Sequence, residues 1–163
     1  MSPDSELELA KIAGQESVLI FDSFDQQTAL ELGLLAREVA ASKGQAVVID
    51  IRRNDDCLFF YAMPGTSNAN ADWARRKRNL VNLAQKSSYA IQLETESGFD
   101  IIGAMGLNPR DFVPAGGCFP IRVSGAGMIG TATISGLPSR EDHKLITDCI
   151  AALLQIELGE VAF

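Results

Sequence analysis

Three cysteines, one histidine and one tryptophan are all that this 163-residue chain holds of those residue types. Cys57, Cys118 and Cys149 are odd in number, far apart and free of CxxC spacing. Neither a disulfide framework nor a cysteine-based zinc site is expected, and no metal ligand set is assigned. No apolar run approaches the roughly 18 residues that a membrane helix needs. Neither GxGxxG nor GxxxxGK[ST] occurs, so a dinucleotide fold and a P-loop lack support, and no GxSxG elbow accompanies the lone histidine. Basic excess is missing too. The net charge of -7 argues against nonspecific nucleic-acid binding, which needs a net basic surface. The opening Met1-Ser2-Pro3-Asp4-Ser5-Glu6 is acidic, the opposite of a secretory n-region, so a cytoplasmic location is expected.

What is present suits a globular domain. The chain is 47% hydrophobic and 21% charged, long enough to bury a core without covalent staples. Helices are expected over 6–15, 28–42, about 71–86 with an extension toward 93, and 139–158. Strands are expected over 18–21, 46–51, 57–63, 119–123 and 128–135. Asn54-Asp55-Asp56 and Ser124-Gly125-Ala126-Gly127 supply the turns of two hairpins. Residues 94–116 read as a loop-rich crossover with a short strand at 99–102. Strands paired locally rather than threaded as βαβ units favour an α/β protein of the α+β kind, an antiparallel sheet covered by helices, as one domain over 1–163.

Three places attract chemical attention. In Trp73-Ala74-Arg75-Arg76-Lys77-Arg78-Asn79, helical geometry puts Trp73, Leu80, Val81 and Ala84 on one face. Arg75 and Arg78 then point away as ordinary surface residues. Lys77 falls inside the apolar arc with Arg76 at its edge, so Lys77 extends to water, finds a structural partner, or lines a pocket as a cation. Gly116-Gly117 permits torsions closed to other residues and a close approach to the main chain. Ser139 reads as an N-cap with Asp142 completing a capping box. One residue on, His143 faces inward with Ile146 and Ile150, as a packing residue or as a neutral imidazole able to move a proton.

Together, Met63-Pro64-Gly65-Thr66, Trp73 with Arg76-Lys77 and Asn79, Gly116-Gly117-Cys118-Phe119-Pro120-Ile121, Ile129-Gly130, Ser135-Gly136-Leu137 and Asp142-His143 resemble an uncharacterised, UPF-type branch of the haem-degrading-domain family. That superfamily includes haem-binding and glycolate-operon proteins. The match spans nearly the whole chain in order and spacing. The resemblance implies a profilin-like antiparallel sheet covered by helices, with a long C-terminal helix, and self-association into dimers and larger rings. It also implies a cytoplasmic location and pocket-lining roles for Trp73, Arg76, Lys77, Asn79, Gly116, Gly117, Phe119 and His143. Relatives often carry a histidine before the two glycines; here Ala115 stands there, which leaves His143 as the only imidazole.

Three functions are consistent with these residues. The first is a small-ligand-binding protein for haem or another anionic molecule. Arg76 and Lys77 would neutralise carboxylates, Trp73 and Phe119 would stack, and His143 would be an axial ligand. The second is an enzyme acting on a small carboxylate, with His143 as general base and Lys77 stabilising an oxyanion. The third is an oligomeric interaction protein without a ligand, resting on the apolar C-terminal helix.

Overall fold

The computed structural model describes residues 1–163. Strands rich in β-branched and aromatic residues build a five-stranded sheet: β1 (Ile20–Phe21), β2 (Val48–Arg53), β3 (Asp56–Ala62), β4 (Cys118–Val123) and β5 (Gly127–Ser135). In the order β1-β4-β5-β2-β3, every neighbouring pair is antiparallel except the two-residue pairing of β1 with β4. The helices are α1 (Pro3–Val18), α2 (Gln26–Ser42), α3 (Asn68–Ala84), α4 (Ser88–Glu96), α5 (Ile101–Ala104) and α6 (Ser139–Leu154).

The two faces of the sheet differ in chemistry. On one, Ile49 and Ile51 of β2, Ala132 and Ile134 of β5, and Phe119 and Ile121 of β4 form the main core with Leu32 and Ala36 of α2 and Ile146 and Ile150 of α6. The other face repeats at the alternate positions and is polar. Asp50, Thr133 and Cys118 lie side by side across three strands, flanked by Thr131 and Ser135, all buried. Helix α3 packs over this face, against β5, β4 and β2. A buried carboxylate needs a cation, and α3 brings one: Arg78 pairs with Asp50, which Arg52 also meets at 3.0 Å.

Several expectations change. The strand expected at 99–102 is the short helix α5, started by Asp100, whose Oδ1 accepts from Gly103 N at 3.0 Å. Val18 closes α1, so β1 keeps only two residues. The helix expected to run toward 93 stops at Ala84, where Gln85 turns left-handed at φ 55°, and α4 begins afresh. Helix α6 ends at Leu154 for the same reason, Gln155 standing at φ 57°, and a single 3-10 turn follows at Gly159–Val161. Arg78 is not an ordinary surface residue. Its outward position on the helical wheel holds for an apolar partner face, and the face under α3 is polar.

Removing the Arg78 guanidinium leaves Asp50 with Arg52 alone. Arg78→Ala is expected to cost about 2–3 kcal/mol of unfolding free energy by denaturant titration, below the ~3–5 kcal/mol of a pair broken outright because Arg52 remains.

Candidate functional site

A cleft of about 310 Å³ opens between the first turns of α3 and the junction of β5 with α6. Its walls are Asn70 and Trp73 of α3, Ala115 before β4, and Ser135, Gly136, Leu137, Pro138 and Ser139; Lys77 and Asp142 lie at its floor. Trp73, 41% exposed, stands at the rim. Lys77 and Asp142 are 4% and 1% exposed, with Nζ 2.8 Å from Oδ2. Nζ also donates to Ile134 O at 3.2 Å. The carboxylate is fixed from its other side by backbone donors, Leu137 N to Oδ1 at 3.0 Å and Gly136 N to Oδ2 at 3.4 Å. Burial pushes this carboxyl up to about 6, against the lowering by Lys77 and the two amides.

Asp142 therefore does not complete a capping box. Pro138 takes the N-cap position and no side chain caps the helix. Lys77 neither extends to bulk water nor stands alone; it has a buried partner and still faces the cleft.

The other predicted residues divide around this floor. Arg76 stacks its guanidinium 4.8 Å from the Trp73 ring and donates to Pro109 O at 2.8 Å. Asn79 donates to Asp111 O at 2.9 Å, and Arg75 reaches Asp111 and Asp72 at 2.9 and 3.1 Å. These contacts clasp the 108–112 loop to the outside of α3, so Arg75 is no free surface charge either. Gly116 and Gly117 sit behind the cleft wall. A Cβ on Gly116 would lie 2.4 Å from Ser139 O, and one on Gly117, at φ 127°, would lie 2.3 Å from Ile134 O and 2.9 Å from Lys77 Nζ. The pair lets β4 start directly beneath the α6 terminus.

Phe119 and His143 are in the core, and neither has surface on the cleft. The imidazole is fully buried among the rings of Tyr89, Phe119 and Phe163, at 5.3, 6.0 and 5.3 Å. Gln15 donates Nε2 to Val161 O at 2.9 Å, which turns its Oε1 toward His143 Nε2 at 2.8 Å. Nε2 is then the protonated nitrogen and Nδ1, buried, has no partner. Burial pushes this group down to about 3, in the direction that the α6 N-terminus also favours.

Residues 24–151 match the model of a family described as haem degrading protein, HbpS-like. The chain belongs to the HbpS-like family. A UPF0303 protein of Azotobacter vinelandii is 46% identical over 163 residues, covering 99% of this chain and 97% of that one. Among solved structures, Ybr137w matches with a TM-score of 0.80 at 24% identity, over 90% of this chain and 88% of its own. A PduOC:heme complex matches at 0.68 and 21%, over 82% and 95%. Both structural matches bear on the fold.

Haem, named in the family description, needs an axial donor and cations for its propionates. In this HbpS-like chain the cleft lining holds no histidine, cysteine or tyrosine, and its one cation is already paired. The only imidazole is enclosed by aromatic rings and committed to Gln15. The residues present do not fit an axially ligated haem in this cleft. Among all residues, no three histidine, cysteine or acidic side chains gather as a metal set.

Of the residues that the resemblance assigns to a pocket, Trp73 and Lys77 line the cleft, and Asn70, Ser135 and Asp142 line it in addition. A signal for Asp142 existed: an inward lysine calls for an inward acid, and Asp142 is the acid that the sequence places beside the Ser135-Gly136-Leu137 turn.

The enclosed imidazole has a measurable consequence. Folding holds His143 unprotonated, while the unfolded chain binds a proton below its ordinary value of 6.5. Its contribution to stability is complete above that pH and is lost as pH falls toward about 3, by at most about 1.4 kcal/mol per pH unit. The unfolding free energy of wild type minus that of His143→Gln should decline over this window; Asp142, with its opposite slope, cancels in the difference.

Proposed function

We propose that this chain is a small-molecule-binding member of the HbpS-like family, acting as one domain over 1–163, with the Trp73 cleft as its site. One observation carries the reading: a recess with an aromatic wall ends on an almost sealed Lys77–Asp142 pair. Its volume stands at the lower end of the roughly 300–1,000 Å³ of ligand pockets, which suits a compact ligand. Trp73 offers a flat apolar face, Ser135 Oγ has no protein partner, and Asn70 keeps its amide nitrogen free while Oδ1 accepts from Ser67 N at 2.9 Å. A ligand with a ring and an acidic group suits these walls. Acid/base chemistry by His143 together with Lys77 has no support in the geometry, since the imidazole has no surface on the cleft.

Trp73 is the only tryptophan, so intrinsic fluorescence reports on this cleft alone. Small aromatic carboxylates should quench it saturably. Ala115→Phe, which fills the cleft from the opposite wall, should weaken that binding at least tenfold while leaving far-UV circular dichroism unchanged. Haemin should give no Soret change that depends on His143. Equal affinity in wild type and Ala115→Phe would sink the proposal.

Self-association is the second reading, and a different surface supports it. Strand β3 is a sheet edge, and beside it Leu30 and Leu34 of α2 and Phe60 of β3 are exposed, Phe60 by 47%. Leu34 and Phe60, with Phe59, Tyr61 and Arg37, line a largely apolar groove of about 320 Å³. Open edges and apolar patches of this kind are surfaces that a second copy covers. Phe60→Asp is expected to lower the mass found by light scattering at micromolar protein to that of a monomer; a wild type already monomeric there would contradict the reading.

A further inference from the structure

The Trp73 cleft is lined by one cation and one anion, Lys77 and Asp142, and these already neutralise each other across 2.8 Å. A ligand carboxylate brought to Lys77 would place a second negative charge against Asp142 on a floor nearly closed to water. Two carboxylates sharing one cation in such a place repel strongly, and one of them holds a proton. Asp142 has little freedom to move aside. Leu137 N and Gly136 N hold its two oxygens, and the missing side chain of Gly117 lets the α6 turn lie close beneath.

We propose that an acidic ligand enters this cleft as its carboxylate together with one proton, taken up by Asp142, so that the charge brought in sums to zero and binding is linked to pH. This rests on the reading of the cleft as a small-molecule site. The charges balance. The ligand contributes one negative charge and the solvent proton one positive charge, to a floor whose own sum is zero. Only an O–H bond on the Asp142 carboxyl forms. Lys77 Nζ exchanges its bond to Asp142 for one to the ligand carboxylate and keeps the carbonyl of Ile134.

The neighbouring groups leave that proton to Asp142. On β4, burial holds the Cys118 thiol up at about 12. Beside Asp142 on α6, His143 is held down at about 3. On α4, burial and the bond to Glu8 raise the Tyr89 phenol. On β2, Asp50 lies between Arg52 and Arg78. On the outer side of α6, Arg140 bridges Glu8 and Glu141, and on α3 Arg76 lies over Trp73. Strand β5 brings Thr131, Thr133 and Ser135, none of which titrates. Asp142, pushed up to about 6 by burial, is the group that changes charge nearest neutrality.

Benzoate and its uncharged isostere benzamide are the probes, followed by Trp73 fluorescence from pH 5.5 to 8. Benzoate should weaken by up to tenfold per pH unit above about pH 6, the slope of one coupled proton, while benzamide stays flat. Calorimetry at pH 7.5 in phosphate and in Tris, whose ionisation enthalpies differ, should return close to one proton taken up per benzoate. In Asp142→Asn the slope and the proton uptake should both vanish. The wild-type calorimetry stands without that variant, should the substitution disturb folding. Saturable benzoate quenching with a flat pH profile and no proton uptake overturns this inference and leaves the cleft as a binding site. Benzamide bound while benzoate is refused at every pH also overturns it. Quenching by neither probe at any pH overturns the cleft reading itself.

Discussion

The contact between Lys77 and Asp142 fixes how three separately encoded pieces meet. Helix α3 supplies the ammonium, α6 supplies the carboxylate, and the end of β5 supplies a carbonyl acceptor and two amide donors around them. Taking two charges out of water costs several kcal/mol per ion, and only full hydrogen bonding on both sides offsets it. The pair is therefore weak as a source of stability and strong as a determinant of geometry. An arrangement that shifted α6 by a turn, or let β5 end a residue early, would leave a buried charge unmatched. The glycine at 117 belongs to the same constraint, because a side chain there would collide with Ile134 O, Asp142 and Lys77 Nζ.

The polar face beneath α3 extends this logic along the sheet. Asp50 meets Arg78 and Arg52 in the same way that Asp142 meets Lys77. Thr131 and Thr133 complete a seam of side chains whose hydroxyls find no protein partner. The opposite face is an ordinary apolar core shared with α2 and α6. One sheet thus separates a layer held by burial of hydrocarbon from a layer held by matched charge. The cleft opens at the end of the charged layer, where α3 begins and its first turns project past the end of β5.

Much of this was legible in the residues. The apolar runs at 46–51 and 128–135, bounded by turn residues, mark the strands, the spacing of Leu32, Ala36 and Ile146, Ile150 marks the core faces of two helices, and the inward angle of Lys77 and His143 marks two unusual positions. Arg78 was placed at the surface because an apolar partner face was assumed, and no single-strand pattern reveals that the facing residues are Asp50, Thr133 and Cys118 until the strands are set in register. Phe119 and His143 join Trp73 only through the resemblance, whereas Phe119 lies on the core face of the sheet and His143 is enclosed by the rings of Tyr89, Phe119 and Phe163. At 99–102 the local preference for a strand lost to a four-residue helix begun by Asp100, and Gln85 and Gln155 stopped two helices by left-handed turns that their side chains do not announce.

The clasp of the 108–112 loop onto α3 bears on how a ligand reaches the molecule. The most basic stretch of the chain, residues 75–78, spends its four charges on Asp72, Asp111, loop carbonyls and two buried carboxylates. Only Arg76, held by the Pro109 carbonyl and the Trp73 ring, keeps a charge without an anionic partner, and the chain as a whole is acidic at -7. A diffusing anion is met by a repulsive field before it meets the cleft. Encounter with an acidic molecule is thus slow at low ionic strength and quickens as salt shortens the reach of that field, the reverse of a surface built to steer anions inward.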